Sequence, residues 1–362
     1  MQMKKSVIAA AGAVFRGEKR QKNIFRAAFA LLLAAMIGAL VCVDLFVFPL
    51  EYIWAVAYEP DISPRGEGEL RVHFIGVGQG DCTLVEFPDG KTMIVDGGDE
   101  REETRMRILG YCRALGVGIF DFAVLTHTDS DHAGGLDDVL NCFGSQIAYS
   151  PFLQTQEKDT AFAEFLSAAK DTGAEVRISR MFEADVSRTQ DYFYYWMMLS
   201  PFAPGISSSR DLSEEESTND LSAVIYLEYA GRTLLMTGDA SSAAEDSFVG
   251  SYLATGGAAF EMEVTSPWGE VLLRPRLQEL DFLKAGHHGS GNSTGEALVS
   301  LCRPQNLFIS CGAGNGYGHP SLACIGNVLA ASPEAEIYRT DELGSVMLTI
   351  GADGKYSVSR IG

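Results

Sequence analysis

Leu125-Thr126-His127-Thr128-Asp129-Ser130-Asp131-His132-Ala133-Gly134-Gly135 packs two histidines and two aspartates into six residues, directly behind the apolar run Phe122-Ala123-Val124-Leu125. Such a run predicts a buried strand, which puts the polar side chains on the turn at its C-terminal end. That end is where open α/β sheets place their sites. Imidazole and carboxylate are the ligands that hold Zn²⁺, Mn²⁺ or Fe²⁺, and the two closing glycines are expected to let the backbone crowd close to an ion. Asp and Gly also mark ordinary turns after strands. The spacing and placement of the four residues favour a metal site over that reading.

Working outward, six more stretches carry chemistry in order along the chain: Val77-Gly78-Gln79-Gly80-Asp81, Ile94-Val95-Asp96-Gly97-Gly98, Asn219-Asp220-Leu221-Ser222, Thr237-Gly238-Asp239, Lys284 to Ser290, and Tyr317-Gly318-His319-Pro320-Ser321. Together with the opening stretch they resemble the His-x-His-x-Asp-His hydrolases of the metallo-β-lactamase fold. More narrowly, the His-x-Asp-x-Asp-His form is similar to the extracytoplasmic domain of ComEC/Rec2-type competence proteins. The resemblance covers about residues 70 to 350, and several ordered motifs are far more specific than any one. It implies an α/β fold, a metallo-β-lactamase-like αββα sandwich, and no nucleotide cofactor is expected. Gly76 departs from the pattern, which usually has an acidic residue there.

The resemblance also implies a ligand set for two divalent metal ions. His127 and Asp129 would serve one, Asp131 and His132 the other, and Asp239 would bridge. His288 is favoured over His287 as the ligand completing the second site, leaving His287 to face substrate or to steady its neighbour's ring. The histidine usual between the first motif and the bridging aspartate is missing, since none lies between His132 and His287. Asn219 or Asp220 would then substitute, or that first site is looser. Oxygen ligands at that site shift preference from Zn²⁺ towards Mn²⁺ or Mg²⁺, and Zn or Mn are the metals expected. Two ions about 4 Å apart suit in-line displacement at a phosphodiester. Asp131 would orient or deprotonate the water, while His287 and His319 would act on the substrate side. Asn292, Ser293 and Thr294 are weaker candidates, being ordinary loop and cap residues. Asp81 and Asp96 are expected to shape turns under the site, and His73, alone in a strand, to be a packing residue.

Composition limits the partners. The net charge is −20, but residues 1–26 hold seven Lys/Arg against Glu18, leaving 21 basic and 47 acidic residues, a net −26, in the remainder. An acidic body repels phosphate backbones at long range, although bound metal ions reverse the field locally. The expected substrate is a phosphodiester, with DNA and cell-envelope or small-molecule esters as the candidates. A non-catalytic metal-binding module is the third reading. Seven scattered cysteines give neither a zinc ribbon nor a readable disulfide framework.

Taken in order, residues 1–23 form a basic cytoplasmic N-terminus and 24–48 a transmembrane helix, long enough to cross about 30 Å of hydrocarbon. The charge before it predicts a single-pass protein with its C-terminal domain outside the cell membrane. It would be secreted if the segment is cleaved as a signal peptide. Residues 49–69 read as a linker and 70–362 as the hydrolase domain, with a probable insertion at 250–276. Within the domain, strands are expected over Leu70 to Val77, Thr83 to Phe87 and Thr92 to Val95, and a hairpin over Leu221 to Tyr229 and Arg232 to Met236. Helices are expected over Glu102 to Gly116, Leu136 to Cys142 and Ala161 to Ala174.

Overall fold

A computed structural model of the chain describes residues 25–39, 41, 50–154, 160–201 and 218–361. It divides into two compact units, 1–53 and 54–362. In the first, residues 25–39 are helical and exposed. No helix among the described residues is long and apolar enough to cross a membrane. Residues 24, 40 and 42–48 of the expected anchor, the basic segment 1–23, and most of the acidic loop before Asn219 lie outside the described residues.

The second unit contains two large mixed sheets. Strands β1 (Leu70–Phe74), β2 (Thr83–Glu86), β3 (Thr92–Val95), β4 (Phe120–Val124), β5 (Ser145–Ser150) and β6 (Glu175–Ile178) follow one another across the first. The second takes β7 (Ala184–Arg188), β8 (Phe193–Ser200), β9 (Val224–Tyr229) and β10 (Arg232–Met236), then β13 (Phe282–Lys284), β14 (Asn306–Ile309) and β15 (Glu336–Arg339). A separate hairpin, β11 (Met262–Ser266) with β12 (Gly269–Leu273), intervenes, and β16 (Ser345–Ile350) and β17 (Tyr356–Ile361) return to the first sheet beside β1. β1, β2 and β3 pair antiparallel, whereas β3 to β6 are parallel and joined through the helices Glu102–Ala114, Leu136–Phe143 and Thr160–Asp171. In the second sheet β10, β13, β14 and β15 are parallel.

Strand periodicity decides what fills the space between sheets. Along β8, Tyr194, Trp196 and Met198 enter the central core with Val72, Phe74, Val124 and Phe308. The alternate residues Tyr195, Met197 and Leu199 face the other way, into a core closed by the helices Ser242–Thr255, Glu296–Cys302 and Leu322–Ala331. β10 divides likewise, Leu234 and Met236 inward and Leu235 outward. This is the two-fold alternation of a strand covered on both faces.

The structure adds detail to three of these expectations. The stretch read as a linker is partly a strap on the body: Arg71 donates to Ser63 O and Pro64 O (2.8 and 3.1 Å), and Arg65 to Phe87 O at 2.6 Å. The stretch 250–276 begins inside the helix Ser242–Thr255, and its ends, Tyr252, Phe260 and Leu273, are core residues; only the hairpin between them stands out, with Trp268 and Leu272 exposed. His73 is fully buried, between Tyr111 Oη (3.1 Å) and Glu86 Oε2 (2.9 Å), which accords with packing.

Candidate metal centre

The parallel strands bring the motifs together, because β3, β4, β10, β13 and β14 all end at the same edge. Asp96 follows β3, Thr126 and His127 follow β4, Asp239 follows β10, His287 and His288 follow β13, and Ser310 follows β14. His127, His132 and Asp239 form one group whose ligand atoms lie within 4.8 Å of one another, and Asp81, His132 and His288 form a second that overlaps it. All five side chains are buried.

Hydrogen-bond grammar fixes which ring nitrogen each histidine offers. The Asp96 carboxylate can only accept, and it takes Thr126 N–H, Thr126 Oγ1–H and His132 Nδ1–H, each at 2.8 Å. In the neutral ring this leaves the lone pair on His132 Nε2, the atom a metal ion would take. The Thr126 hydroxyl has spent its one proton on Asp96, so its 3.0 Å contact with His127 Nδ1 must be donated by the ring, and His127 Nε2 is also a lone pair. His288 Nδ1 donates to Ser310 O at 3.1 Å, which does the same for its Nε2. Three buried imidazoles are locked as Nδ1–H tautomers with Nε2 aimed at shared space, the arrangement that orients histidine on a metal.

What those nitrogens meet is acceptors. His132 Nε2 lies 3.2 Å from Asp239 Oδ1, and His288 Nε2 lies 3.2 Å from Asp131 Oδ2 and 3.7 Å from Asp239 Oδ2. His127 Nε2 lies 3.7 Å from Asp129 Oδ2 and 4.0 Å from Asp239 Oδ2. His127 Nε2, His132 Nε2 and Asp239 Oδ1 are buried with no hydrogen-bond partner. Lone pairs facing carboxylates at these distances require cations among them, either protons or metal ions. The electrostatics say the same. Burial drives the Asp239 carboxyl up, yet His132 and His288 hold it well below the usual range. Burial likewise opposes charge on His132, but Asp239 and Asp96 carry it well above the ordinary histidine value. The residues present fit divalent metal ions.

Asp131, at the start of the short helix Ser130–Ala133, is partly exposed; burial pushes its carboxyl up, but His288 and His132 prevail and hold it at about 2. Asp129 is the most open of the group, 47% exposed at its side chain, and accepts from Thr218 Oγ1 at 3.2 Å. Asn219 opens the three-residue turn directly after Thr218. Asp220 instead accepts from the Ser241 hydroxyl, the N-cap of the helix Ser242–Thr255. His287 is partly exposed, its Nε2 3.6 Å from Asp239 Oδ2. Both His287 and His288 have positive φ (47° and 55°), a strained conformation that turns two adjacent rings towards one centre.

His319 completes the open side, its ring 5.6 Å from that of His287 and 6.2 Å from that of His288. Its tautomer too can be derived. Gly312 N–H donates to Gln79 Oε1 at 3.2 Å, so the Gln79 amide nitrogen faces His319 Nδ1 (3.4 Å) and donates to it. The His319 proton then rests on Nε2, and burial together with the neighbouring His288 and His287 keeps its pKa low and the ring neutral. Unlike the other three, His319 offers a donor.

Several supporting residues were not assigned these roles from sequence. Asp81 is close enough to His132 and His288 to join a metal site, but the buried Lys284 ammonium bonds its carboxylate, so it stands as half of an ion pair behind them. Asp96 is the shared acceptor described above, more than a turn residue. Gly134 and Gly135 do not crowd a metal: a Cβ on them would meet Glu100 N at 2.5 Å and Gly97 O at 2.6 Å, so they seat the turn against the strand-end loop of β3. Ser293 Oγ donates to Ala240 O and Thr294 Oγ1 accepts from Gly286 N, which makes them scaffolding. The only sequence signal for Gln79 was its two flanking glycines. Gly80, at φ 145°, lies where a Cβ would strike Asp131 O at 2.6 Å.

A mixed two-sheet fold with a His/Asp centre at its strand ends defines a class, and residues 75–312 match the model of the Metallo-beta-lactamase superfamily; the chain belongs to that superfamily. Within it the chain is related to competence proteins. It is similar to ComE operon protein 3 of Bacillus subtilis (strain 168), 27% identical over 303 residues, 79% of this chain and 33% of that one. Competence protein ComA of Neisseria gonorrhoeae is 26% identical over 299 residues, covering 83% of this chain and 35% of ComA. Recombination protein 2 of Haemophilus influenzae is 25% identical over 258 residues, covering 69% and 25%. The chain thus spans about a quarter to a third of each relative's length.

Proposed function

We propose that this chain is a membrane-anchored, extracytoplasmic phosphodiesterase that uses two divalent metal ions, Zn or Mn, and acts on nucleic acid. The carrying observation is the set of three buried imidazoles locked with their Nε2 lone pairs turned on Asp239 and its neighbours. His127, Asp129, Asp131, His132, Asp239 and His288 would hold the ions, with Asn219, next in the chain after the Thr218 that bonds Asp129, as a further ligand. Bound divalent ions supply Lewis-acid charge that neutralises a phosphoryl group and makes water acidic enough to attack it. Asp131, held ionised, accepts a hydrogen bond from the attacking water and orients it. His319 donates from Nε2 to an oxygen of the phosphoryl group or its leaving group. His287, partly exposed beside Asp239, meets the substrate from the same open side, its ring 5.6 Å from that of His319.

Nucleic acid is favoured over other diesters by the similarity to competence and recombination proteins. The net −26 of the body favours a second reading, a hydrolase of envelope or small-molecule phosphoesters, which needs no long-range attraction to a polyanion. The deciding experiment offers the Mn²⁺ and Zn²⁺ forms bis-(p-nitrophenyl) phosphate, a monoester analogue, single-stranded and duplex DNA, and a β-lactam. Cleavage of diester and DNA, lost in Asp131→Ala, is expected. Diester cleavage with DNA untouched selects the second reading, and a metal-loaded protein that cleaves nothing is a binding module.

Anchoring through 24–48 rests on the basic charge before that apolar segment. Protease added to intact cells is expected to digest the body, and a body protected until lysis reverses the orientation.

A further inference from the structure

Tyr317 is 75% exposed and Leu322 is 89% exposed, the highest values for large apolar side chains among the described residues from 54 to 361. They lie two residues before and three residues after His319. Single exposed apolar residues are common on any surface, but Tyr317 is held on a braced loop. Asn315 donates from Nδ2 to Gly312 O (2.8 Å) and His319 O (2.6 Å), and its Oδ1 accepts from Tyr317 N (3.1 Å) and His319 N (3.0 Å). The rings are also ordered. Tyr317 lies 5.8 Å from His319 at an interplanar angle of 28°, and His319 lies 6.2 Å from His288 at 29°. Three near-parallel rings step from solvent down to a buried histidine of the metal centre.

A phosphodiester bound at the centre would lay its adjoining group beside this outermost ring. A glycerol or sugar gains little from a π face, whereas a nucleobase gains from it whatever its sequence. The acidic body makes such a contact more necessary, because it supplies no general attraction to phosphate. Resting on the phosphodiester reading above, we propose that Tyr317, with Leu322 at the start of the helix that follows the loop, is a nucleobase platform, so that the site takes single-stranded nucleic acid whose bases are free to stack on protein. Duplex DNA, with its bases already stacked, would be a poor ligand.

The test is binding by the full chain, read as fluorescence anisotropy of a labelled, cleavage-resistant phosphorothioate oligothymidylate and of an abasic strand of equal length. Wild-type protein is expected to bind the thymidylate about tenfold or more tighter than the abasic strand, from the usual strength of one base–aromatic stack. Tyr317→Ala should bring the thymidylate down to the abasic level and leave abasic binding and metal content unchanged. Tyr317→Phe should keep the preference, and Tyr317→Trp should show fluorescence quenching with thymidylate alone. Equal binding of both strands by wild type, or equal weakening of both by Tyr317→Ala, overturns the platform. If that happens while bis-(p-nitrophenyl) phosphate is still cleaved, the phosphodiester reading survives it; if no diester is cleaved and neither strand binds, both fail.

Discussion

The two flanks of the centre are built differently. On the deep flank, His132 is fixed by Asp96 and His288 by Ser310 O, and the Lys284–Asp81 pair lies behind them, all of these groups buried. On the open flank, Asp129 is half exposed and steadied by one threonine hydroxyl, and no histidine stands where the family pattern has one. A ligand whose second atom is already bonded loses little freedom when it closes on an ion, so orientation behind the ligands sets affinity as much as the ligands do. If the centre takes two ions as proposed, the expected outcome is one held tightly on the deep flank and one exchangeable on the open flank.

The largest expected effect comes from removing the residue both flanks share. Asp239→Ala should abolish binding of both ions, by elemental analysis, and lower diester hydrolysis at least about a thousandfold, since several kcal/mol of charge stabilisation leave with the metals. Asp129→Ala should cost only the exchangeable ion; loss of both would erase the distinction between flanks. Asp96→Asn should weaken deep-flank affinity by about 10–100-fold, the usual effect of loosening a histidine's support, and should weaken the open-flank ion by less, through the Thr126 hydroxyl that steadies His127. Gln79→Glu puts an acceptor opposite His319 Nδ1 and draws the proton there, so kcat should fall about tenfold with metal content intact. An unchanged kcat would remove His319 Nε2–H from the chemistry.

The smallest effect tests the scaffold. Glu245 is buried, and although Gly295 N–H and Thr294 N–H bond its carboxylate, burial raises its pKa from 4.5 to about 7. The folded state therefore binds more protons than the unfolded state between these values, and stability falls as pH rises through that window. Glu245→Gln should flatten the dependence, by up to roughly 3 kcal/mol between pH 4.5 and 7, read by denaturant melts at several pH values.

Much of this was legible beforehand. The ordered motifs carried a family resemblance that implied the sandwich, and the paired His and Asp pointed to the centre. The helix Ser130–Ala133 was not foreseen, because four residues carry no periodicity. Roles that depend on contacts distant in sequence were hidden for a plainer reason: Lys284 meets Asp81 across 203 positions and Gln79 meets His319 across 240, and no local pattern encodes either. Asp96 looked like a turn residue because its positive φ does make a turn, while its carboxylate collects three donors from another loop.

The most direct test of a two-ion centre with unequal flanks is equilibrium dialysis of the full chain against a Mn²⁺ series, with bound metal counted per chain. The expected result is two ions per chain, one retained at concentrations at least about tenfold below those that fill the other, with the weaker step absent in Asp129→Ala. Two ions lost together at one concentration would contradict the asymmetry, and a wild-type chain that binds no metal would contradict the centre itself.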